Sequence, residues 1–323
     1  MYSQIARNKR KSVAYIVLFI TVWVGIGALL GWVWWSATGG TPSPGRPGLA
    51  TSPVPATGDV VTGMVIAAVL AGVGVLLSLT SGTRLVLAAS GAHPADPAAY
   101  PQLHHVVEAL AIGDGLPKPD IYVIDDPSPN AFATGTSPGH AAVTVTTGLL
   151  ALMSRTELEG VIAHELSHIK NYDVRLLLII STLIGMAGLI ASLIWRSAFF
   201  MRGGRDRNGG QAMVVVLLAG ILLSIVAFVF GPLVRLALSR RRESLADASG
   251  VELTRNPAGL ISALEKLQAN DQPFARFNHA TAAMCIDDPL QHHEGWIHHL
   301  FDTHPPLEER IEALRRIELG LTA

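Results

Sequence analysis

The stretch His164-Glu165-Leu166-Ser167-His168 decides what kind of protein this chain can be. Two residues four apart on an α-helix lie one turn apart on the same face, so both imidazoles can bind one metal ion. Glu165 is displaced from that line by one position. From there its carboxylate can approach the open coordination site and activate a water molecule. The pattern therefore predicts the zinc-binding helix of a metallopeptidase.

The composition indicates a membrane protein. Half of the 323 residues are hydrophobic, 15% are charged and the mean hydropathy is +0.39, which is too apolar for a soluble domain of this length. Four apolar runs reach the roughly 20 residues that a helix needs to cross a bilayer. They cover residues 13–35, 60–79, 174–195 and 212–234. The net charge of −1 gives no reason to expect nucleic acid as a partner.

The basic residues favour a cytoplasmic amino terminus and a cytoplasmic carboxyl-terminal portion. Those before the first run are Arg7, Lys9, Arg10 and Lys11, and those after the fourth include Arg240, Arg241 and Arg242. The segment of residues 36–59, rich in Gly, Pro, Ser and Thr, is then an external loop. Arginines between the third and fourth runs disagree, namely Arg196, Arg202, Arg205 and Arg207. Either the hairpin of residues 174–234 spans fully, which we favour, or it packs against the soluble part.

We expect an α+β fold, mostly helical, with four transmembrane helices and a zincin-like catalytic domain containing a small antiparallel sheet. The predicted parts are an amino-terminal membrane region (1–81), a first catalytic part (82–173), the transmembrane hairpin (174–234) and a second catalytic part (235–323). Residues 131–134 and 141–146 predict a β-hairpin. Its exposed edge could bind an extended peptide, or the second strand could be a core strand.

Two local signals position the metal helix. Ser154 and Glu157 form an S-x-x-E capping box at its start. Downstream, Asn256-Pro257 predicts the beginning of another helix, and Pro305-Pro306 the beginning of the last one.

A hydrolytic zinc centre needs three protein ligands, so the two histidines leave one to find. A third histidine shortly after the motif is excluded, because Asn171 and Val174 stand where that class has Gly and His. The other solution is a carboxylate on a separate helix, and Glu243 and Asp247 lie four apart on one helical face. Glu243 would bind zinc, and Asp247 would accept the N–H of a ligand histidine. Alternatively, both acids pair with the neighbouring arginines on a solvated surface.

Several separated motifs resemble those of the HtpX-type membrane zinc metalloproteases, which are relatives of the CAAX prenyl proteases. The motifs are His164 to His168, Glu243 to Asp247, Thr303-His304-Pro305-Pro306, Asn130-Ala131-Phe132-Ala133-Thr134-Gly135 and Gly148-Leu149-Leu150. The resemblance covers about residues 85–317. It implies an integral membrane endopeptidase with a cytoplasmic active site and a role in the quality control of membrane proteins.

The resemblance also implies roles for single residues. One Zn²⁺ per chain would be held by His164, His168 and Glu243, with Glu165 as the catalytic acid and base. His304 is a candidate second donor to the reacting carbonyl, or else a structural residue that caps the final helix. Candidates for lining the substrate strand are Asn130, Ala131 and Phe132. The second histidine cluster is interpreted as an exposed loop rather than another metal site, and comprises His292, His293, His298 and His299.

We therefore expect a multi-pass zinc endopeptidase of the cell membrane that cleaves misfolded or membrane proteins at the cytoplasmic face. The alternative within the same chemistry is a processing protease that cuts a defined peptide or lipidated protein. A transporter is disfavoured, because the apolar runs lack the charged residues of a transport path. Zinc storage is disfavoured too, because it needs a closed ligand sphere.

Overall fold

The computed structural model describes residues 2–38, 57–201, 216–225, 240–270 and 306–321. Its helices in chain order are α1 (Tyr2–Thr38), α2 (Thr57–Ala89), α3 (Pro101–Asp114), α4 (Thr147–Leu152), α5 (Arg155–Lys170), α6 (Asp173–Met201), α7 (Val216–Ile225), α8 (Arg240–Thr254), α9 (Pro257–Gln268) and α10 (Leu307–Glu318). Its strands are β1 (His93–Pro94), β2 (Asp120–Ile124), β3 (Ala131–Ser137) and β4 (His140–Thr146). The expected α+β class, mostly helical, is confirmed.

Among the described residues, three helices are long and apolar enough to cross a membrane. They are Ile5–Ser36 within α1, Thr57–Ala89, which is the whole of α2, and Asp173–Arg196 within α6. These correspond to the first three predicted runs. The fourth predicted run is described only over the apolar helix α7, and the rest of residues 212–234 lies outside the described residues.

The chain forms two compact units. One comprises Met1–Ser12, Ser78–Thr182 and Gly231–Ala323, and the other comprises Val13–Leu77 and Leu183–Phe230. The first is called the catalytic unit below, since it contains the metal helix α5, and the second is called the membrane unit. The two segments that the sequence separates around the hairpin thus belong to one compact unit.

Within the membrane unit, α1 and α2 pack at small residues. A Cβ atom at Gly27 would lie 2.6 Å from the Cβ of Ala67 and 2.8 Å from the carbonyl carbon of Gly63. A Cβ atom at Gly31, one turn on, would lie 2.9 Å from the Cα of Val60. Glycines four apart let two helix backbones approach closely, which is how helices associate where no hydrophobic effect drives them together.

The sheet of the catalytic unit has the strand order β1-β2-β4-β3. β3 and β4 form the predicted antiparallel hairpin, from Ala131 opposite Val145 to Ser137 opposite His140. However, β2 runs parallel to β4, so the sheet is mixed and the prediction of a purely antiparallel sheet is wrong. The reason is that β4 inserts between β2 and β3. Six of the seven β4 residues are buried, which favours a central position over an edge.

Helix α5 is buried on all sides, although its sequence is not uniformly apolar. Twelve of its sixteen residues are buried, namely all from Glu157 to Ile169 except Glu159, and it packs against α3, α8, α9 and the sheet. Its share of the hydrophobic core comprises Leu158, Val161, Ile162, Leu166 and Ile169. Because a helix in the middle of a core has little freedom to shift, its polar side chains are held in fixed positions.

The predicted capping box at the start of α5 is confirmed, and it also ties α5 to α9. The Ser154 backbone N–H donates to Glu157 at 2.7 Å, and the hydroxyl of Ser154 caps the Glu157 backbone N–H. Lys266 and Ser262 on α9 also donate to the Glu157 carboxylate, at 2.7 and 2.5 Å. Burial raises the pKa of Glu157, but these hydrogen bonds lower the pKa from 4.5 to about 2.

We expect Gly27→Ala to destabilise the membrane unit by about 1–3 kcal/mol, because the new methyl group overlaps Ala67 and the Gly63 backbone. The matched control is Gly25→Ala, where an added Cβ meets nothing within 4 Å. Both variants gain the same helix propensity, so their difference isolates packing. Thermal unfolding of the purified protein in detergent measures this difference. Equal unfolding temperatures would show that α1 and α2 do not meet at Gly27.

We expect Glu157→Gln to lower the unfolding temperature at neutral pH. A carboxylate with a lowered pKa contributes stability that is complete above its unfolded-state pKa of about 4.5 and is lost as the pH falls toward about 2. The deficit of the variant should therefore shrink over that range. Glu159→Gln is the control, because Glu159 forms a surface ion pair with Arg155. A deficit that stays constant with pH would contradict the role of the Glu157 charge.

Candidate metal centre

Three side chains from two helices converge at one point in the catalytic unit. His164 and His168 come from α5 and Glu243 comes from α8, and one ligand atom of each lies within 4.8 Å of the others. The two Nε2 atoms are 3.2 Å apart, and they lie 3.6 and 3.5 Å from the carboxylate oxygens of Glu243. Ligands at zinc-like distances in a tetrahedron are about 3.3 Å apart. The spacing therefore fits a tetrahedral divalent metal ion.

The close approach of α8 to α5 depends on Gly250. A Cβ atom at this position would lie 3.2 Å from the backbone nitrogen of His164, which is tighter than an ordinary contact. Gly250 follows Glu243 by two helical turns, so the two helices stay in contact along the segment that carries the ligands. On the opposite flank, a Cβ atom at Gly160 would lie 2.9 Å from the Leu260 backbone of α9. Small residues thus set how closely the helices enclose the site.

Each histidine is oriented by its own aspartate. The Nδ1 atom of His164 lies 2.8 Å from Asp247, and the Nδ1 atom of His168 lies 3.2 Å from Asp173. When Nδ1–H donates to a carboxylate, the lone pair is left on Nε2, and a neighbouring carboxylate makes that nitrogen a stronger donor to a metal. Both Nε2 atoms lie near Glu243 and are the nitrogens available to a metal ion.

Each aspartate is in turn held by a buried arginine. Arg310 of α10 donates two hydrogen bonds to Asp247, at 2.7 and 3.0 Å, in a bidentate arrangement. Arg242 of α8 donates to Asp173 at 3.1 Å. Burial lowers the pKa of Arg310, but Asp247 raises it above its ordinary value. Conversely, although burial raises the pKa of Asp247, Arg310 and His164 lower it to about 2.

The site buries more negative than positive charge. Four carboxylates surround the two histidines, and none is more than 3% exposed. They belong to Glu165, Asp173, Glu243 and Asp247. Two buried guanidinium groups, those of Arg242 and Arg310, lie among these carboxylates, so acidic side chains outnumber basic ones at the site. Carboxylates and imidazoles in such a cluster are the usual ligands of a divalent metal ion.

The negative excess also affects the pKa of both histidines. Burial and Arg310 lower the pKa of His164, but Asp247 and Glu243 raise it to about 9. Burial likewise lowers the pKa of His168, while Glu243 and Asp173 raise it above the ordinary value. A metal ion that binds here has to displace these protons, so binding and proton release are coupled.

Comparison with known proteins points in the same direction. The sequence profile described as peptidase family M48 matches residues 97–318. That range includes α5, α8 and α10, which carry the converging side chains. The chain belongs to peptidase family M48.

Curated relatives match this metalloprotease along nearly its whole length. A protease HtpX homolog of Limosilactobacillus fermentum is 42% identical over 324 residues, and that of Lactobacillus helveticus is 39% identical over 322 residues. Each match covers 98% of this chain and 100% of the relative. The crystal structure of Ste24p from S. mikatae matches with 21% identity and a TM-score of 0.47, over 77% of this chain and 57% of that longer one. With its apolar helices, this M48 protein is a multi-pass membrane metalloprotease.

The structure places most of the predicted site residues in this M48 catalytic unit. Glu165 is buried on α5 beside His164, at 2% exposure. Glu243 is fully buried and Asp247 is 3% exposed, which rules out the alternative that both lie on a solvated surface. The residues from Asn130 to Phe132 lie at the start of β3. His304 and the cluster of His292, His293, His298 and His299 lie outside the described residues.

The sequence motifs did not reveal Asp173 or the donors that hold the two aspartates. Arg310 lies six residues after His304, close to the Thr303-His304-Pro305-Pro306 motif, but the motif does not predict that Arg310 pairs with Asp247. Asp173 follows His168 by five residues, which places it beyond the end of α5, where helical spacing no longer predicts its position. The basic run that contains Arg242 predicts a cytoplasmic flank or surface ion pairs with the two acids, but not a bond to Asp173. Asn8 precedes its partners Asn171 and Asp173 by 163 and 165 residues, and no local pattern relates such distant positions.

Proposed function

We propose that this metalloprotease is a zinc endopeptidase in which His164, His168 and Glu243 are the metal ligands. The observation that carries the proposal is the convergence of the three ligand atoms, with both Nδ1 atoms already engaged by carboxylates. Two imidazoles and one carboxylate form the ligand set of hydrolytic zinc sites, which keep one position open for water or substrate.

Each group in the proposed site would have its own catalytic role. When bound, zinc would act as a Lewis acid that polarises the scissile carbonyl and lowers the pKa of water. Glu165 would take a proton from the attacking water and pass it to the departing amine nitrogen. Asp247 and Asp173 would keep the ligand imidazoles in the required tautomer. His304 remains our candidate for a second donor to the carbonyl oxygen.

We propose that the substrate binds along β3 in an extended conformation. β3 is an edge strand, and within the described residues it pairs only with β4. It also packs against α5, which carries the metal ligands. Backbone hydrogen bonds to such an edge accept many sequences, which suits the cleavage of varied unfolded chains. Asn130 directly precedes this strand and Ala131 and Phe132 begin it, and these three residues would line the bound peptide.

We further propose that the catalytic unit faces the cytoplasm and degrades misfolded or membrane proteins in quality control. In support, Asn8 donates hydrogen bonds to Asn171 and Asp173 of the catalytic unit. The basic amino-terminal segment and the catalytic helix are therefore on one side of the membrane, and such basic flanks are typically cytoplasmic. Cleavage restricted to one site, mapped by mass spectrometry, would favour the alternative of a processing protease.

We expect Glu165→Gln to retain zinc but to lose roughly 10²–10⁴-fold in the cleavage of an unfolded protein such as casein, because general-base catalysis is removed. Glu243→Ala should instead lose zinc, since one of three ligands is gone. Elemental analysis and a protease assay on the purified full-length proteins measure both effects. Glu159→Gln, on the same helix, is the control with parental activity. Parental turnover by Glu165→Gln would refute its role, and parental zinc content in Glu243→Ala would refute the ligand set.

We expect a cysteine introduced as Ile112→Cys to be shielded from a membrane-impermeant thiol reagent in intact cells. Ile112 is 73% exposed on α3 of the catalytic unit, so only the membrane would protect it. Arg46→Cys, in the predicted external loop, is the opposite-side control. The single natural cysteine, Cys285, is replaced in both variants. Labelling of position 112 in intact cells, with labelling of both positions after lysis, would reverse the proposed orientation.

A further inference from the structure

Asn8 is a buried polar residue near the start of α1, far in sequence from the metal helix. Its side chain is 2% exposed. The side-chain amide donates to the backbone oxygen of Asn171 at 2.9 Å and to Oδ1 of Asp173 at 2.7 Å. An amide nitrogen has two hydrogens, and both are used by these two acceptors. The amino-terminal segment is thus bound to the junction between α5 and α6.

This junction positions one of the metal ligands. Oδ1 of Asp173 receives the amide of Asn8, while Oδ2 of the same carboxylate lies 3.2 Å from Nδ1 of His168. The direction of the His168 imidazole therefore depends on the orientation of the Asp173 carboxylate. A continuous path of hydrogen bonds leads from the first helix of the chain to the imidazole ring of a proposed ligand.

The backbone at the junction is strained and is covered by the residue after Asn8. Tyr172, between α5 and α6, has a φ of 59°, a left-handed conformation that costs energy in a non-glycine residue. The ammonium group of Lys9 lies 4.4 Å from the centre of the Tyr172 ring, within cation–π distance. Such a turn persists only when its surroundings hold it, and Asn8 and Lys9 supply two of those contacts.

The two histidines differ in how their aspartates are held. Asp247, behind His164, is fixed by Arg310 through two hydrogen bonds that engage both of its oxygens. Asp173, behind His168, receives one hydrogen bond from Arg242, at 3.1 Å, and a shorter one from Asn8. Arg310 alone gives Asp247 two hydrogen bonds, whereas Asp173 needs Asn8 in addition to Arg242 to receive two. A neutral amide does this without adding charge to the site.

We propose that Asn8 is a positioning residue of the metal centre, which orients His168 through Asp173. The proposal rests on the ligand set of the proposed function. It means that full metal affinity requires the amino-terminal segment of α1 to be seated on the α5–α6 junction. The role is distinct from catalysis, since Asn8 has no contact with the reacting atoms.

The test uses the full-length protein in detergent, with Asn8→Leu as the main variant. Leucine keeps the branched shape of asparagine and its number of side-chain heavy atoms but has no hydrogen-bond donor, so it removes donation without leaving a cavity. Asn8→Ala is the second variant, in case leucine is not accommodated. Ser12→Ala is the matched control, because Ser12 is buried on the same helix and its hydroxyl donates to the backbone of Asn8. Asp173→Asn is the reference variant, because it removes the carboxylate that links Asn8 to His168.

We expect Asp173→Asn to weaken zinc affinity by about 10–100-fold, and Asn8→Leu by about tenfold, as measured by competition with a chromophoric chelator. The visible absorption of the cobalt-substituted Asn8→Leu protein should shift, because the geometry of His168 changes. The metal-free Asn8→Leu protein should still unfold cooperatively, but at a lower temperature than Ser12→Ala, because two buried acceptors lose their donor. Ser12→Ala should bind zinc like the parent.

Zinc affinity and a cobalt spectrum equal to those of Ser12→Ala, in either Asn8 variant, would overturn the proposal. This failure is distinguishable from failure of the proposed function. If the ligand set is wrong, Glu243→Ala binds zinc as well as the parent does. If only the Asn8 proposal is wrong, Glu243→Ala loses zinc while the Asn8 variants keep parental affinity.

Discussion

The catalytic unit depends on one electrostatic constraint, which is the burial of four carboxylates around two imidazoles. Two buried arginines, Arg242 and Arg310, pair with two of these carboxylates, those of Asp173 and Asp247. Buried acidic groups in a low-dielectric interior favour the binding of a cation or of protons beside them. The raised pKa of His164 is the metal-free response to the same field. Metal binding and the stability of the catalytic unit are thereby linked.

Helix α5 is fixed by its packing, and the other side chains of the site come from elements that surround it. α5 is buried on all sides, so His164 and His168 are held by packing on α3, α8, α9 and the sheet. Small residues at positions 160 and 250 allow the neighbouring backbones to come close. Each imidazole is then backed by an aspartate. The same arrangement occurs twice, but with different donors, because α10 approaches one side of the site and the amino-terminal segment approaches the other.

Features set by local sequence could be predicted in detail. The two histidines are four apart on one helix, Glu243 and Asp247 are four apart on another, and Ser154 and Glu157 form the capping box, since helical geometry alone relates such pairs. Three apolar runs became long apolar helices for a similar reason. The parallel pairing of β2 with β4 could not be predicted, because alternation of side chains shows which face is buried but not which strand lies beside it.

The sequence by itself determined the class of chemistry and the membrane character, because each is encoded within a few helical turns or in an apolar run. It also supplied His164, His168 and Glu243 as candidate metal ligands, with an alternative left open for Glu243. Only the tertiary structure decided what stands behind those ligands. Asp173 lies beyond the end of the metal helix, and Arg242 and Arg310 lie on other helices. Asn8 is separated from Asp173 by more than half of the chain. Hydrogen bonds between such distant residues depend on the packing of whole elements, and no short-range pattern records that packing.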